Sequence, residues 1–178
     1  MRTREETIRS PFGVTKKMNS LYELADVIAM ALLAGAVCFV FALRFAGVEG
    51  ESMLPTLRNG QRIVLTAYSP NYDHGDIVVV SDMGTRLGRV IVKRIIGIPG
   101  DVIDIDFDAH IVYRNGEALN EGYIAEPTAR REDFEGPVTV GRGKVFVMGD
   151  NRNNSADSRS EAIGQVDQRS ILGRVLFQ

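Results

Sequence analysis

From Val27 to Leu43 the chain reads VIAMALLAGAVCFVFAL without a charge, and Leu21, Tyr22, Leu24 and Ala25 extend the apolar character toward the N-terminus. At about 1.5 Å of rise per residue, a helix from Leu21 to Phe45 can cross a hydrocarbon core of about 30 Å. The segment therefore reads as one transmembrane helix, and everything after it must fold on a single side of a bilayer. Arg2, Arg4, Arg9, Lys16 and Lys17 precede it, against Arg44, Arg58 and Arg62 soon after it. By the positive-inside rule the N-terminus is cytoplasmic and the following domain faces outward, across the cell membrane. The expected division is a tail over 1–19, an anchor over 20–46 and a folded domain over 47–178. A cleavable secretory leader is the competing reading. Cleavage after Ala46 would put Arg44 at the third position back, where a small residue is wanted, which leaves Val40-Phe41-Ala42 as the other site.

About 130 of the 178 residues follow the apolar run, enough for one domain with its own core. The pattern beyond it is of short strands and turns. Gln61–Thr66, Ile77–Val80 and Lys144–Met148 read as strands. Val90–Ile98 is a strongly apolar strand stopped by Pro99-Gly100-Asp101, whose Pro and Gly suit the centre of a type II turn. Ile103-Asp104-Ile105-Asp106-Phe107 alternates like a half-buried strand, and Asn115-Gly116 marks a tight hairpin. Residues 122–143 carry Pro127, Pro137 and mixed charge, so a loop-rich insertion is expected within about 103–143. Without helix-period segments the domain is all-β, an antiparallel sheet or partly open barrel behind the anchor helix.

Composition excludes several functions. A formal net charge of -2 carries no polyanion-binding signature, so no nucleic acid partner is expected. Cys38 is the only cysteine and sits in the apolar run, which leaves no disulfide framework and no accessible thiol nucleophile. Neither His74 nor His110 has a ligand-spaced partner, so no metal and no organic cofactor are implied.

The chemistry concentrates on Ser52, in Val48-Glu49-Gly50-Glu51-Ser52-Met53-Leu54-Pro55-Thr56-Leu57, and Lys93, in Val90-Ile91-Val92-Lys93-Arg94-Ile95-Ile96. A serine hydroxyl is a poor nucleophile until a base takes its proton, and the usual base is histidine. His74 lies in a turn and His110 opens a hairpin strand, so both read as surface residues. A lysine with an ordinary pKa near 10.4 is neutral in only about one molecule in 2,500 at pH 7. Lowering that pKa to 7 takes about 4.6 kcal/mol, which burial in an apolar site can supply. In a strand, Lys93 shares a face with Ile91 and Ile95, whereas Arg94 projects with Val92 and Ile96. The plain alternative is a lysine that snorkels at a sheet edge.

Four segments, in order, resemble the sequence boxes of type I signal peptidases: Gly50-Glu51-Ser52-Met53-Leu54-Pro55-Thr56; His74-Gly75-Asp76-Ile77-Val78-Val79; Val92-Lys93-Arg94-Ile95-Ile96-Gly97-Ile98-Pro99-Gly100-Asp101; and Gly149-Asp150-Asn151-Arg152-Asn153-Asn154-Ser155-Ala156-Asp157-Ser158-Arg159. The resemblance implies a serine endopeptidase that removes signal peptides from preproteins at the membrane, cutting after small residues at positions -1 and -3. It makes Ser52 the nucleophile and Lys93 the general base that later protonates the leaving amine. Ser155 would orient the lysine by hydrogen bonding, Asp150 would pair with Arg94, and Asp157 with Arg159. Some members carry a serine where this chain has Gly50, so the oxyanion donor is expected to be the Ser52 backbone N–H with a neighbouring amide of the Gly50 region. Val48, Glu49, Gly50, Val90, Ile91 and Val92 would present strand edges to an extended precursor. The implied partners are signal-peptide-bearing preproteins and the lipid bilayer, and no obligate partner subunit is expected. Because Ser52 follows Leu43 by about nine residues, an extended connection spans only about 30 Å, and the nucleophile would work close to lipid. Three other readings share some of these features. They are a maturation peptidase dedicated to one precursor class, a self-cleaving repressor-type peptidase, and a non-enzymatic membrane-tethered β module that would tolerate Ser52→Ala.

Overall fold

The computed structural model describes residues 16–66, 71–81 and 88–177. Helix α1 runs over Lys16–Ala42. Its described side chains, residues 22–37, are all exposed, and Val27, Ile28, Met30, Leu32, Leu33 and Val37 among them present apolar groups. Among the described residues no helix is long and apolar enough to cross a membrane; residues 38–42 of the uncharged run lie outside the described side chains. The expected tail lies outside the described residues up to position 15, and residues 16–19 already belong to α1.

The helix stops earlier than its apolarity suggested. Leu43–Gly47 forms strand β1, which pairs antiparallel with β2, Arg62–Thr66, in the register Leu43 to Thr66 and Gly47 to Arg62. The cause is tertiary. The pairing satisfies the outer backbone edge of β2 and brings Ala46 against the cluster that contains Ile63 and Leu65, a gain that outweighs local helix preference.

Strands β3 (Ile77–Val80), β4 (Ile91–Gly97), β9 (Lys144–Met148), β10 (Val166–Asp167) and β11 (Ile171–Phe177) complete a seven-stranded sheet in the order β1-β2-β11-β3-β4-β9-β10. All described strand pairs are antiparallel, and among the described strands β1 and β10 are the outermost. β3 reads Ile-Val-Val-Val because both its faces are buried. Ile77 and Val79 join Met53, Leu57 and Ile63 in one cluster, while Val78 and Val80 join Ile91, Ile95 and Val147 in another.

The span expected to be a loop-rich insertion holds a second sheet of four strands, β5 (Val102–Asp106), β6 (Ile111–Arg114), β7 (Glu117–Ala118) and β8 (Val138–Thr139), in the order β7-β6-β5-β8. Alternation along β5 buries Ile103 and Ile105 against Val112, Phe134, Phe146 and Met148. The β6–β7 hairpin turns on Asn115 (φ 55°) and Gly116 (φ 81°), as the Asn-Gly pair predicts. At the junction of the two sheets His74 and Asp101 meet at 2.6 Å. Burial alone would raise the Asp101 carboxyl, but bonds from His74, the Ile98 N–H and Asn115 bring it below its ordinary value.

Candidate active site

Ser52 projects from the turn that follows β1. Gly50 holds φ at +88°, a left-handed conformation that favours glycine. The turn is closed by bonds from Leu54 N–H to Glu51 O (3.1 Å) and Leu57 N–H to Met53 O (2.8 Å), and it is pinned from below by Met53 and Leu57, which are buried. Ser52 itself is half-buried.

On β4, Ile91, Lys93 and Ile95 share a buried face, at 7 %, 3 % and 0 % exposure, and Lys93 Nζ donates to Ser52 Oγ over 2.6 Å. Burial pushes the ammonium down from its ordinary 10.5 to about 8. The Asp157 carboxylate opposes that shift, Arg89 and Arg159 add to it, and Asp150 opposes it. At pH 7 a pKa near 8 leaves about one amine in ten neutral, some two orders of magnitude more than an unperturbed lysine would have.

The segment 149–159 clamps this pair from one side. Asn151 N–H donates to Ser52 O (3.0 Å) and Asn151 Nδ2 to Glu51 O (3.1 Å), which fixes the peptide that carries the serine. Gly149 lies so close that a Cβ there would stand 2.3 Å from Ser155 Oγ and 2.5 Å from Ser52 O; no other residue fits. Ser155 Oγ donates to Asp157 Oδ2 at 2.8 Å, and among the described contacts no hydrogen bond joins it to Lys93. Asp157 also accepts from Gly149 N–H (3.0 Å) and takes a two-pronged bond from Arg159, Nε and Nη2 each at 2.8 Å. Arg94 grips Asp150 in the same way, Nε at 2.8 Å and Nη2 at 2.6 Å.

Several supporting residues had no role assigned from the sequence. Thr56 Oγ1 donates to Asp150 Oδ2. Tyr123 lays its ring 4.2 Å from the Arg94 guanidinium. Arg152, fully buried, donates to Glu121, Thr128 and the Gly149 carbonyl. Thr56 and Arg152 stood within the quoted boxes, whereas Glu121, Tyr123 and Thr128 come from an unpatterned loop.

A groove of about 950 Å³ runs past the Ser52–Lys93 pair, lined by Glu49, Gly50, Val90, Ile91 and Val92 among others. Ile91–Lys93 pairs with β3, and β9 joins β4 only from Arg94 onward. Among the described strands, β4 thus keeps one free edge beside the serine. Val48 is placed differently. Its side chain is in the core, its N–H donates to Gln61 O (2.9 Å) and its carbonyl accepts from Gly60 N–H (2.8 Å), so it supports the groove from beneath. The Gly50 N–H donates to Asn59 Oδ1 (3.0 Å), which occupies the amide expected to assist Ser52 in holding an oxyanion. Neither histidine lines the groove. Among the described residues no group of three or more His, Cys, Asp or Glu could hold a metal ion.

The family model described as signal peptidase, peptidase S26, matches residues 21–178. Signal peptidase I of Bacillus licheniformis is 37% identical over 174 residues, covering 92% of this chain and 90% of the relative. Probable signal peptidase I-1 of Synechocystis sp. is 38% identical over 181 residues, covering 96% and 85%. The crystal structure of a signal peptidase I from Enterococcus faecalis V583 superposes with a TM-score of 0.50 at 33% identity, covering 62% of this chain and all of that one.

Proposed function

The chain belongs to the signal peptidase family, peptidase S26, and from that premise we propose a membrane-tethered serine endopeptidase that removes signal peptides, with Ser52 as nucleophile and Lys93 as base. The observation that carries the reading is the buried amine 2.6 Å from the serine hydroxyl. As Ser52 Oγ attacks the scissile carbonyl, its proton passes to neutral Lys93 Nζ. The Ser52 N–H, whose peptide plane is held by the bond from Asn151 Nδ2 to Glu51 O, stabilises the oxyanion. The lysine ammonium then protonates the leaving amine, and an acyl-enzyme remains on Ser52. Neutral again, Lys93 takes a proton from water as the water oxygen attacks the acyl carbon, and it returns that proton to Ser52 Oγ as the ester bond breaks, which frees the signal peptide and restores the serine.

Other residues hold this geometry. Asp157 with Arg159, and Asp150 with Arg94, fix the charges around Lys93, and Ser155 braces Asp157 and Gly149. The precursor lies extended along the free edge of β4 and the segment Glu49–Gly50, and shallow apolar contacts select small side chains at -1 and -3. The α1 segment is the anchor, with its N-terminus cytoplasmic and the catalytic domain on the outer face. Its support is the uncharged run Val27–Leu43 together with an apolar surface exposed along residues 22–37, which lipid would cover.

Incubating the purified protein in detergent with a preprotein tests the assignment. Release of the mature chain is expected from the wild type and none from Ser52→Ala. Equal release by that variant would favour another nucleophile, and no release by either would favour the tether reading.

A further inference from the structure

Among the described residues, one buried side-chain oxygen accepts no hydrogen bond, Glu132 Oε1. Arg130 Nε lies 2.8 Å from it, which is ion-pair distance, yet no N–H is directed at the oxygen. The Glu132 side chain is 14 % exposed and that of Arg130 is 56 %, so the carboxylate is fixed in the protein while its counter-ion reaches into solvent. Both residues line the groove that holds Ser52 and Lys93.

The backbone adds an independent sign. Glu132 has φ at +55°, a region that costs free energy for a residue with a Cβ and persists only where its surroundings impose it. Those surroundings are visible on both sides. Ala129 N–H and Arg130 N–H both donate to Asn153 Oδ1 (2.9 and 3.1 Å), and Arg159 Nη1 donates to Arg130 O (2.7 Å). Beyond Glu132, Ser160 Oγ and Glu161 N–H donate to Asp133 Oδ2 (3.2 and 3.0 Å). Glu132 is thus carried between two anchors on the loop that bears Ser155 and Asp157. Strain and an acceptor that has a counter-ion but no directed hydrogen bond coincide at one residue in the groove wall, and a buried acceptor is costly to leave without a donor. A donor on a ligand in the groove would resolve it. The acceptor is a carboxylate, and in the reactive form, with Lys93 neutral, the groove's carboxylates Glu49, Glu51 and Glu132 outnumber the guanidiniums Arg89 and Arg130, so a cationic donor is favoured over an anionic group.

We propose that Glu132 is a specificity-determining residue, whose carboxylate accepts a hydrogen bond from a basic side chain of the bound precursor close to the cut. The inference rests on the peptidase reading above and adds a charge preference to its selection of small residues. On binding, Arg130 swings toward solvent and the precursor's cation takes its place.

The test uses the full-length enzyme in detergent and a precursor peptide with alanine at -1 and -3, into which Lys, Gln or Glu is placed singly at each other position around the cut. At one position the wild type should prefer Lys over Glu by about tenfold in kcat/KM, the range expected of a charge-assisted hydrogen bond. Glu132→Lys should reverse that preference there and nowhere else, and Glu132→Gln should flatten it, each read as the ratio of Lys to Glu peptide cleavage within one enzyme. Absence of any position with a Lys preference in the wild type overturns the proposal, and so does a preference that survives both substitutions. Cleavage of the unsubstituted peptide without charge preference defeats this inference alone; no cleavage of that peptide defeats the peptidase reading beneath it. Should Glu132→Lys fail to fold, the isosteric Glu132→Gln carries the comparison.

Discussion

Replacing Lys93 by methionine is expected to lower precursor cleavage by about 10⁴-fold or more while making the folded protein more stable at pH 7. Methionine keeps much of the length and apolar contact of the lysine stem, so Ile91 and Ile95 stay packed, but it offers no proton acceptor beside Ser52. The stability gain follows from the sign of the pKa shift. Burial lowers the Lys93 pKa from 10.5 to about 8, so between those values the unfolded chain holds a proton that the native protein has released, and native stability rises with pH across that window. Below pH 8 the full cost is present, up to about 3 kcal/mol. Loss of the 2.6 Å bond to Ser52 offsets about 1 kcal/mol of the gain. Urea unfolding of both proteins at pH 7 and pH 10.5 should show the variant ahead at the lower pH and the difference narrowing at the higher. A variant less stable than the wild type at pH 7 would mean that the amine is better solvated than its 3 % exposure implies.

The second large effect is expected at Asp157. Its side chain is fully buried against the equally buried Arg159, and burial alone would raise its carboxyl, but the Arg159 guanidinium, the Gly149 N–H and the charge of Lys93 hold it below the ordinary range. Asp157→Ala leaves an uncompensated guanidinium in the interior, which costs about 3–5 kcal/mol, and frees Gly149 from the contact that seats it against Ser52. It also removes the charge that raises the Lys93 pKa most, while Arg159 continues to lower it. Whatever activity survives should therefore titrate below pH 8. Asp157→Asn, which retains an acceptor for Gly149 and Ser155, should lose less stability and shift the titration in the same direction. Denaturant melts and a pH series on the two variants check both; an unchanged titration midpoint would show that Asp157 does not act on Lys93.

Much of this site was legible because two-residue periodicity is a local property. Lys93 sits between Ile91 and Ile95, and one apolar face sufficed to place the amine among buried neighbours. The partnership with Ser52 spans 41 positions, which no local pattern encodes; it came from the order of the four boxes. The second sheet was legible only in part: the alternation of β5 and the Asn115-Gly116 hairpin mark it, whereas β8, two residues long, is too short for alternation to register. Central strand β11 escaped for another reason. Its apolar residues fall on both parities, Gly173 interrupts them to let Thr66 O approach within 2.5 Å of where a Cβ would stand, and its register shifts against both neighbours. Glu121 and Tyr123 were invisible because their partners, Arg152 and Arg94, are reached only when the arm after β7 folds back over the catalytic loop.

The pH dependence of kcat/KM on a signal-peptide-bearing precursor bears most directly on the dyad. If a neutral Lys93 takes the serine proton, activity should be low in acid, climb with a single proton loss centred near pH 8, and level off above it. A flat profile through that range, or a midpoint near the 10.5 of an exposed lysine, would contradict a buried amine as the base.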